Sequence, residues 1–266
     1  MVNLFFPPTP FLAEVVESYW YSKVDLTTPV IQHYATPLLQ GLVFNFKRQP
    51  EHHTYDDHSV TLDKQAYLCG QPLGSRIVKS SENGIDIIGV KFKPLGITRV
   101  TGINMQHVAN SIIPAEDVWG RELELLCDEM QSAGSLLGMI AVLEKFLIDK
   151  YMHTSLHYRV ESAQNAIALL TKTDGSMSVK DLQEQTNTTR KTLERAFLHY
   201  LGLKPKLFAR IIRFNVAKEI IDQGVLTQSL TSLAHQCGYY DSSHFTAEFR
   251  RFAGLSPSLY LKNKKN

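Results

Sequence analysis

One pattern occurs twice in the last part of the chain, and it leaves few folds open. Ser229 to Tyr260 reads SLTSLAHQCGYYDSSHFTAEFRRFAGLSPSLY. Leu230, Leu233, Ala234 and Cys237 recur at helical spacing, which predicts a short helix with one apolar face. Gly238 stands where that helix must stop, because glycine takes the left-handed cap conformation at no steric cost. Asp241 then offers a side-chain oxygen to the free amides of a second helix. Phe245, Phe249 and Phe252 give this helix a buried face, while Ser242, Ser243, Thr246 and Arg250 occupy the other. A short polar helix crossing a supporting helix is the arrangement that enters a DNA major groove.

The earlier copy lies 52 positions back, counted from Asp241 to Thr189. At that offset Phe245 falls on Leu193, Phe249 on Phe197, Gly254 on Gly202, Leu255 on Leu203, Pro257 on Pro205 and Tyr260 on Phe208. A cap, two apolar positions, a Gly-Leu-x-Pro stop and a trailing aromatic repeat together, as they do when one supersecondary unit is duplicated. Between the copies, FARIIRFNVAKEIIDQG reads as one long helix. The first copy is wetter: Gln183 stands where the second has Ala234, and Thr186 where it has Cys237. These larger polar residues predict looser packing between the two helices of the first unit.

The paired arrangement resembles the AraC/XylS family of bacterial transcription regulators over roughly Val160 to Lys262. Its most specific part is the series Ala234, Gly238, Tyr239, Asp241, Ser243, Phe245, Phe249, Gly254, Ser256, Pro257 and Tyr260. The resemblance implies two recognition helices. In the first, capped by Thr189, the exposed positions are Arg190, Lys191, Thr192, Glu194 and Arg195. Lys191 and Arg195 lie one turn apart, and Arg195 is placed to reach a guanine edge with two hydrogen bonds. Glu194 either accepts from a cytosine amino group or pairs with Arg190 or Lys191 on the surface, and Arg190 is expected at a phosphate. In the second helix Ser242, Ser243 and Thr246 are short and read bases loosely, and His244 either touches the DNA backbone or only covers the helix. Many relatives carry Arg or Lys where this chain has Ala247, so strong base reading by the second helix is in doubt. Arg250 and Arg251 are then the expected phosphate anchors, helped by amides at the start of the Ser256-Pro257 helix.

Charge agrees with a division of labour along the chain. From His157 onward there are 16 Lys and Arg against 9 Asp and Glu, while the first 156 residues hold 12 against 17. A basic half beside an acidic half is expected where one part meets a polyanion, although a solvated basic face would give the same count. Cys69, Cys127 and Cys237 are widely spaced and odd in number, which suits a reducing compartment and makes neither a disulfide framework nor a zinc site. No apolar run is long enough for a membrane span, and MVNLFFPPTP lacks the features of a signal peptide. A cytoplasmic, nucleoid-associated protein that does not bind membranes is expected.

Residues 1 to about 110 read as β-rich. VVESYWYSKV, LLQGLVFNFK, QAYLCGQ, SRIVKS and IDIIGVKFKP are short segments of aromatic and branched residues broken by turn signals. Val90 and Phe92 alternate with Lys91 and Lys93, the period of a strand with one wet face. A small barrel or two packed sheets would hold them, similar to the cupin-like sensor domain of many AraC-like regulators. ITRVTGINMQHVANS could add a helix and a turn. His52, His53, Asp56, Asp57 and His58 form one polar cluster, but neighbouring histidines on a strand point to opposite faces, so a mobile loop is the preferred reading and no metal is expected. Trp20, Tyr21, Phe44, Phe46, Tyr67 and Phe92 either line a ligand cavity or form plain core. From Glu116 to Met152 the pattern turns helical, with Trp119, Leu123, Leu126 and Met130 on one stripe and Leu136, Ile140, Leu143, Phe146, Leu147 and Tyr151 on the next. That stripe either packs on its own barrel or, as often in the family, carries a dimer contact.

The expected architecture is therefore α+β, with a β-rich sensor or dimerisation domain and linker helices over 1–152 and an all-α domain of two helix-turn-helix units over 158–266, the stretch MHTSLHY linking them. The expected function is a sequence-specific transcription regulator that binds double-stranded promoter DNA, with RNA polymerase, a small-molecule effector and a second copy of the chain as possible partners. No cofactor and no catalytic residue is expected: the chain has no nucleophile elbow, phosphate loop or carboxylate pair. Two alternatives stay open. One is an enzyme with a barrel domain and an accessory DNA-binding tail, though Cys69 and Cys127 lack the zinc-type spacing of the related repair methyltransferases. The other is a regulator that meets a protein instead of a small ligand.

Overall fold

In a computed structural model of the protein, the described residues are 2–25, 28–38, 40–47, 49–55, 58–80, 84–155, 160–224 and 229–264. Among these residues ten strands come first: β1 (Val2–Phe6), β2 (Val16–Val24), β3 (Ile31–Tyr34), β4 (Gln40–Asn45), β5 (Glu51–Thr54), β6 (Ser59–Leu62), β7 (Ala66–Cys69), β8 (Arg76–Lys79), β9 (Ile85–Phe92) and, after α1 (Gly96–Thr101), β10 (Ile112–Pro114). They form two antiparallel sheets, one ordered β1-β2-β9-β4-β7-β10 and the other β3-β8-β5-β6. Helices α2 (Glu116–Trp119), α3 (Arg121–Ser132) and α4 (Leu136–His153) follow. Gly120 separates α2 from α3 by taking φ 52°, so the helical pattern that the sequence runs together is broken there.

Strand β7 explains how the layers are held. Its alternate residues point to opposite faces, and the two faces meet different cores. Ala66 and Leu68 join Leu42, Phe44, Ile88, Val90 and Phe92 in a core between the large sheet and α3–α4. Tyr67 and Cys69 pack with Tyr55, Leu62 and Ile112 between the two sheets. The helical stripe is settled by the same core: Leu123, Leu126, Met130, Ile140, Leu143 and Leu147 are buried in it, so the stripe covers its own sheet. Five of the six aromatics behave as core as well. Phe44, Phe92 and Tyr67 are buried, and Tyr21 and Phe46 pack against the sheet–helix core. A Cβ on Gly89 would overlap the Trp20 ring, which crosses the strand there.

The histidine cluster is not a loop as expected. His52 and His53 stand in β5, His52 bonded to Thr61 Oγ1 at 2.9 Å and the buried His53 beside Glu51 at 3.1 Å. His58 stacks on Tyr55, while Asp56 and Asp57 lie outside the described residues. No group of three potential metal ligands occurs among the described residues.

The C-terminal domain is all helix: α5 (Val160–Lys172), α6 (Val179–Gln185), α7 (Arg190–Leu201), α8 (Pro205–Asp222), α9 (Leu230–Gln236), α10 (Ser242–Ala253) and α11 (Pro257–Lys264). One core unites them, with α8 through its centre: Phe208, Ile211, Phe214, Ala217 and Ile221 are buried beside residues of both helix-turn-helix units. Pro205 begins α8 where the missing amide costs nothing. Among the described residues no helix is long and apolar enough to cross a membrane. The expected linker MHTSLHY falls partly on 156–159, outside the described residues.

The two domains meet at the C-terminal ends of α7 and α10. Thr98 Oγ1 and Gln40 Nε2 donate to the Tyr200 carbonyl at 3.3 and 3.5 Å. The Thr36 and Ser75 amides donate to the Phe252 and Arg251 carbonyls at 2.7 and 3.4 Å. These are carbonyls that a helix end leaves free. Leu95 enters the helical core from the N-terminal side, held at φ 73°.

Candidate nucleic-acid interface

Each unit is a supporting helix, a tight turn and a capped second helix. Ser178 and Ser229 cap α6 and α9 by accepting the Asp181 and Ser232 amides at 3.1 and 3.2 Å. Both supporting helices then close by the same bond, six residues round: the Thr188 amide to Gln183 and the Tyr239 amide to Ala234, at 3.0 and 2.9 Å. The residue that turns the chain has positive φ in each, Asn187 at 47° and Gly238 at 75°. Up to this point the copies are 51 positions apart; from the cap onward they are 52 apart. The added residue is Tyr240, which is 88% exposed just ahead of the second recognition helix. It is a surface aromatic that the sequence reading passed over, and the change of offset between the repeats is the signal that marks it.

Thr189 caps α7 by accepting the Thr192 amide at 3.3 Å, and its hydroxyl also meets that of Thr192 at 2.9 Å. Leu193, Ala196, Phe197 and Tyr200 face inward and are buried, which leaves Arg190, Lys191 and Arg195 exposed on the outer face. Glu194 is tied at the surface by Arg190 Nε at 2.9 Å and by Lys204 Nζ at 3.7 Å. Its carboxyl is held below the ordinary value, first by the Arg190 hydrogen bond. Of the two uses open to Glu194, surface pairing is the one the geometry has, with Lys204 as an unforeseen second partner.

Asp241 caps α10 at 2.7 Å from the His244 amide. Phe245, Phe249 and Phe252 are buried, and Ser242, Ser243, His244, Ala247, Arg250 and Arg251 are exposed, with Thr246 half-buried. The outer face is thus short and weakly charged until its last turn. At about 1.5 Å per residue, Arg250 sits roughly 13 Å along the axis from the cap. Arg251 ends at the domain seam, where its carbonyl takes the Ser75 amide. The wet first unit is knitted by hydroxyls: Thr186 bonds back to Leu182 at 2.7 Å, and Thr188 reaches Thr186 O at 2.9 Å and Ser162 at 3.4 Å.

None of the three cysteines is disulfide-bonded. Burial pushes the Cys69 and Cys237 thiols up to about 11, the opposite of what a nucleophile needs.

Comparison with known proteins agrees with this geometry. Residues 182–263 match the family described as a helix-turn-helix domain, and residues 4–114 match a domain of unknown function (DUF6597). The HTH-type transcriptional activator RhaS of Pectobacterium atrosepticum is 30% identical over 76 residues, which are 29% of this chain and 26% of that protein. The HTH-type transcriptional regulator ArgR of Pseudomonas aeruginosa is 20% identical over 160 residues, 52% of this chain and 48% of its own. The chain thus matches no more than about half the length of these relatives. Among solved structures, ToxT of Vibrio cholerae with an unsaturated fatty acid bound aligns with a TM-score of 0.51 over 91% of this chain and 94% of its own, at 16% identity. That likeness is one of fold, and it takes in both domains. With two capped helix-turn-helix units on one long helix and the match over residues 182–263, the C-terminal domain is a helix-turn-helix domain of the AraC type.

Proposed function

We propose that the protein is a sequence-specific transcription regulator that binds promoter DNA through α7 and α10. The observation that carries this reading is the pair of capped helices, each with a buried inner face and an exposed polar or basic outer face, fixed on one helix. Two such helices address successive major-groove segments about 34 Å apart on one face of the duplex. In α7, Lys191 and Arg195 reach base edges and Arg190 a phosphate. In α10, Ser242, Ser243 and Thr246 touch bases lightly, His244 and Tyr240 lie along the backbone, and Arg250 and Arg251 anchor phosphates. Thr189 and Asp241 act by capping the helices that present these groups.

The division at 152–158 separates this module from the sensor domain, which controls it. Support for control comes from the seam, because the N-terminal domain caps the last turns of both recognition helices and so holds their spacing. A small effector or a second copy that shifts the N-terminal domain would move both helix ends. The outer face of α3 and α4, with Leu125 and Leu137 exposed, is where a second copy would dock. RNA polymerase is the expected protein partner, the working compartment is the bacterial cytoplasm and nucleoid, and no enzymatic step is assigned to the chain.

The test selects duplexes from a random pool with the full chain and measures binding across salt. The reading requires retardation of duplex DNA, a selected sequence preferred over its scramble, and two half-sites one helical turn apart. Failure to retard any duplex at low salt would end it.

A further inference from the structure

Glu248 stands on the buried stripe of α10, between Phe245 and Phe252, and is only 4% exposed. The equivalent position in the first unit is Ala196, also fully buried. A carboxylate therefore occupies a place where the repeat has a methyl group. Arg210, from the second turn of α8, donates its Nε–H to Glu248 Oε1. The second oxygen, Oε2, has no hydrogen-bond partner among the described residues. His244, one turn earlier in α10, brings Nε2 to 3.9 Å of Oε1. Three residues further along α8, Arg213 donates to the Gly238 carbonyl at 3.1 Å and lies over the Tyr239 ring at 5.2 Å. Tyr239 in turn packs edge-on against Phe245 and His244. The long helix thus sends one guanidinium to the turn of the second unit and another to its recognition helix.

Stability does not account for this pair. Withdrawing the Glu248 carboxylate and most of the Arg210 guanidinium from water is costly, and apolar replacements of similar volume for such pairs are often neutral or stabilising. A pair that leaves one oxygen unsatisfied recovers still less of that cost. What an apolar contact cannot supply is direction. Phe245, Phe249 and Phe252 are smooth rings that tolerate small rotations of α10 about its axis, whereas a guanidinium–carboxylate hydrogen bond weakens steeply off line. A buried polar contact that fixes one register among several apolar ones is the best-attested use of such groups.

We propose that Arg210 and Glu248 are positioning residues that lock the rotation of the second recognition helix, so that Ser242, Ser243 and Thr246 face the groove. The proposal rests on the DNA-binding reading for its effect on recognition, but the locking itself is a property of the free protein. It explains how a helix with short, uncharged reading residues could still discriminate: short side chains reach a base edge from only one helix angle, so they depend on the angle more than long ones do.

The experiment uses the full chain and three forms: native, R210M/E248L and E248Q. The double variant removes both charges and keeps the volume, whereas E248Q keeps an acceptor for Arg210. The expected result is a double variant that melts at or above the native temperature, binds a scrambled duplex as the native protein does, and loses about tenfold of its preference for the selected duplex, what one mismatched base pair costs. E248Q should keep most of that preference. Unchanged preference in the double variant overturns the proposal. So does a melting temperature lower by about 5 °C or more, which would make the pair a plain stabiliser. If the native protein prefers no duplex, the DNA-binding reading fails, and the lock is then judged on fluorine spectra of labelled phenylalanine in the free protein. Resonances of Phe245 and Phe249 that split or broaden in the double variant uphold it; resonances as sharp as in the native protein overturn it.

Discussion

The two helix-turn-helix units share a backbone plan and differ in almost everything that fills it. The second is closed by aromatic rings: Phe249 meets Phe214, Phe245 and Tyr260 at centroid distances of 5.2, 5.6 and 5.4 Å. The first has Phe197 in the matching place with Phe208 as its ring neighbour at 5.7 Å, and the hydroxyls of Thr186 and Thr188 close its turn. Their outer faces are reversed in emphasis. α7 carries Arg190, Lys191 and Arg195 in its first two turns, where α10 has serines and places Arg250 and Arg251 at its far end. The difference teaches that ring packing and reading chemistry are distributed in opposite directions: long charged side chains project from the unit whose turn is closed by hydroxyls, and short ones from the unit closed by rings.

The largest effect should come from the interior. Phe249→Ala and Phe197→Ala each remove a fully buried ring, a loss of about 3–5 kcal/mol. With three aromatic neighbours against one, Phe249→Ala should lie at the upper end of that range. Urea unfolding followed by helix content measures both, and a greater loss for Phe197→Ala would break the link between ring neighbours and stability.

Much of this contrast was readable before any coordinates. Caps, stops and buried faces of α6, α7, α9 and α10 follow from residue type and spacing, because helix ends and helix stripes are local. Five strands, β2, β4, β7, β8 and β9, were legible because each is a short run of branched and aromatic residues bounded by turn signals. β1, β3, β5, β6 and β10 were not. β1 and β3 are exposed along nearly their whole length, so no alternation marks them, and the His52–His53 strand is polar enough to pass for a loop. The seam was invisible because its acceptors at the two helix ends are backbone carbonyls of Tyr200, Arg251 and Phe252, groups every residue has. Glu248 and Arg210 were invisible because the sequence sets them 38 positions apart and a carboxylate on a helix is normally assigned to the wet face.

Next in size is the functional contrast between the outer faces. Arg195→Ala should weaken binding to the selected duplex by roughly 1–3 kcal/mol and leave a scrambled duplex much less affected. Arg250→Ala should weaken both alike and reduce the salt slope by about one. Titrations on the two duplexes at several salt concentrations separate the cases; equal losses for Arg195→Ala would remove it from base reading.

The caps give a smaller, graded comparison. Asp241 holds the His244 amide at 2.7 Å, and its charge also suits a helix N-terminus; Thr189 holds the Thr192 amide at 3.3 Å. Loss of either cap should cost about 1 kcal/mol, within a range of 0.5–2. Asp241→Ala should be the costlier, by denaturant midpoint, and the reverse order would mean the shorter bond is not the stronger cap.

The smallest effect concerns the glutamate that the first unit keeps at its surface while the second buries one. Arg190 and Lys204 hold the Glu194 carboxyl below its ordinary value, so the folded state binds a proton less readily than the unfolded chain. The stability this adds is therefore complete above the ordinary carboxyl value and disappears as the pH falls through the lowered one. With the pair largely in solvent, it amounts to about 0.2–1 kcal/mol and fades with salt. Glu194→Gln should narrow the loss of melting temperature between pH 5 and pH 3 by a degree or so at low salt, and not at all at high salt. The same change releases two cations beside the reading face, so non-specific DNA affinity should rise slightly. A variant that weakened binding to the selected duplex more than to its scramble would instead put Glu194 at a base, and the surface pair with Arg190 would be what the protein gives up on meeting DNA.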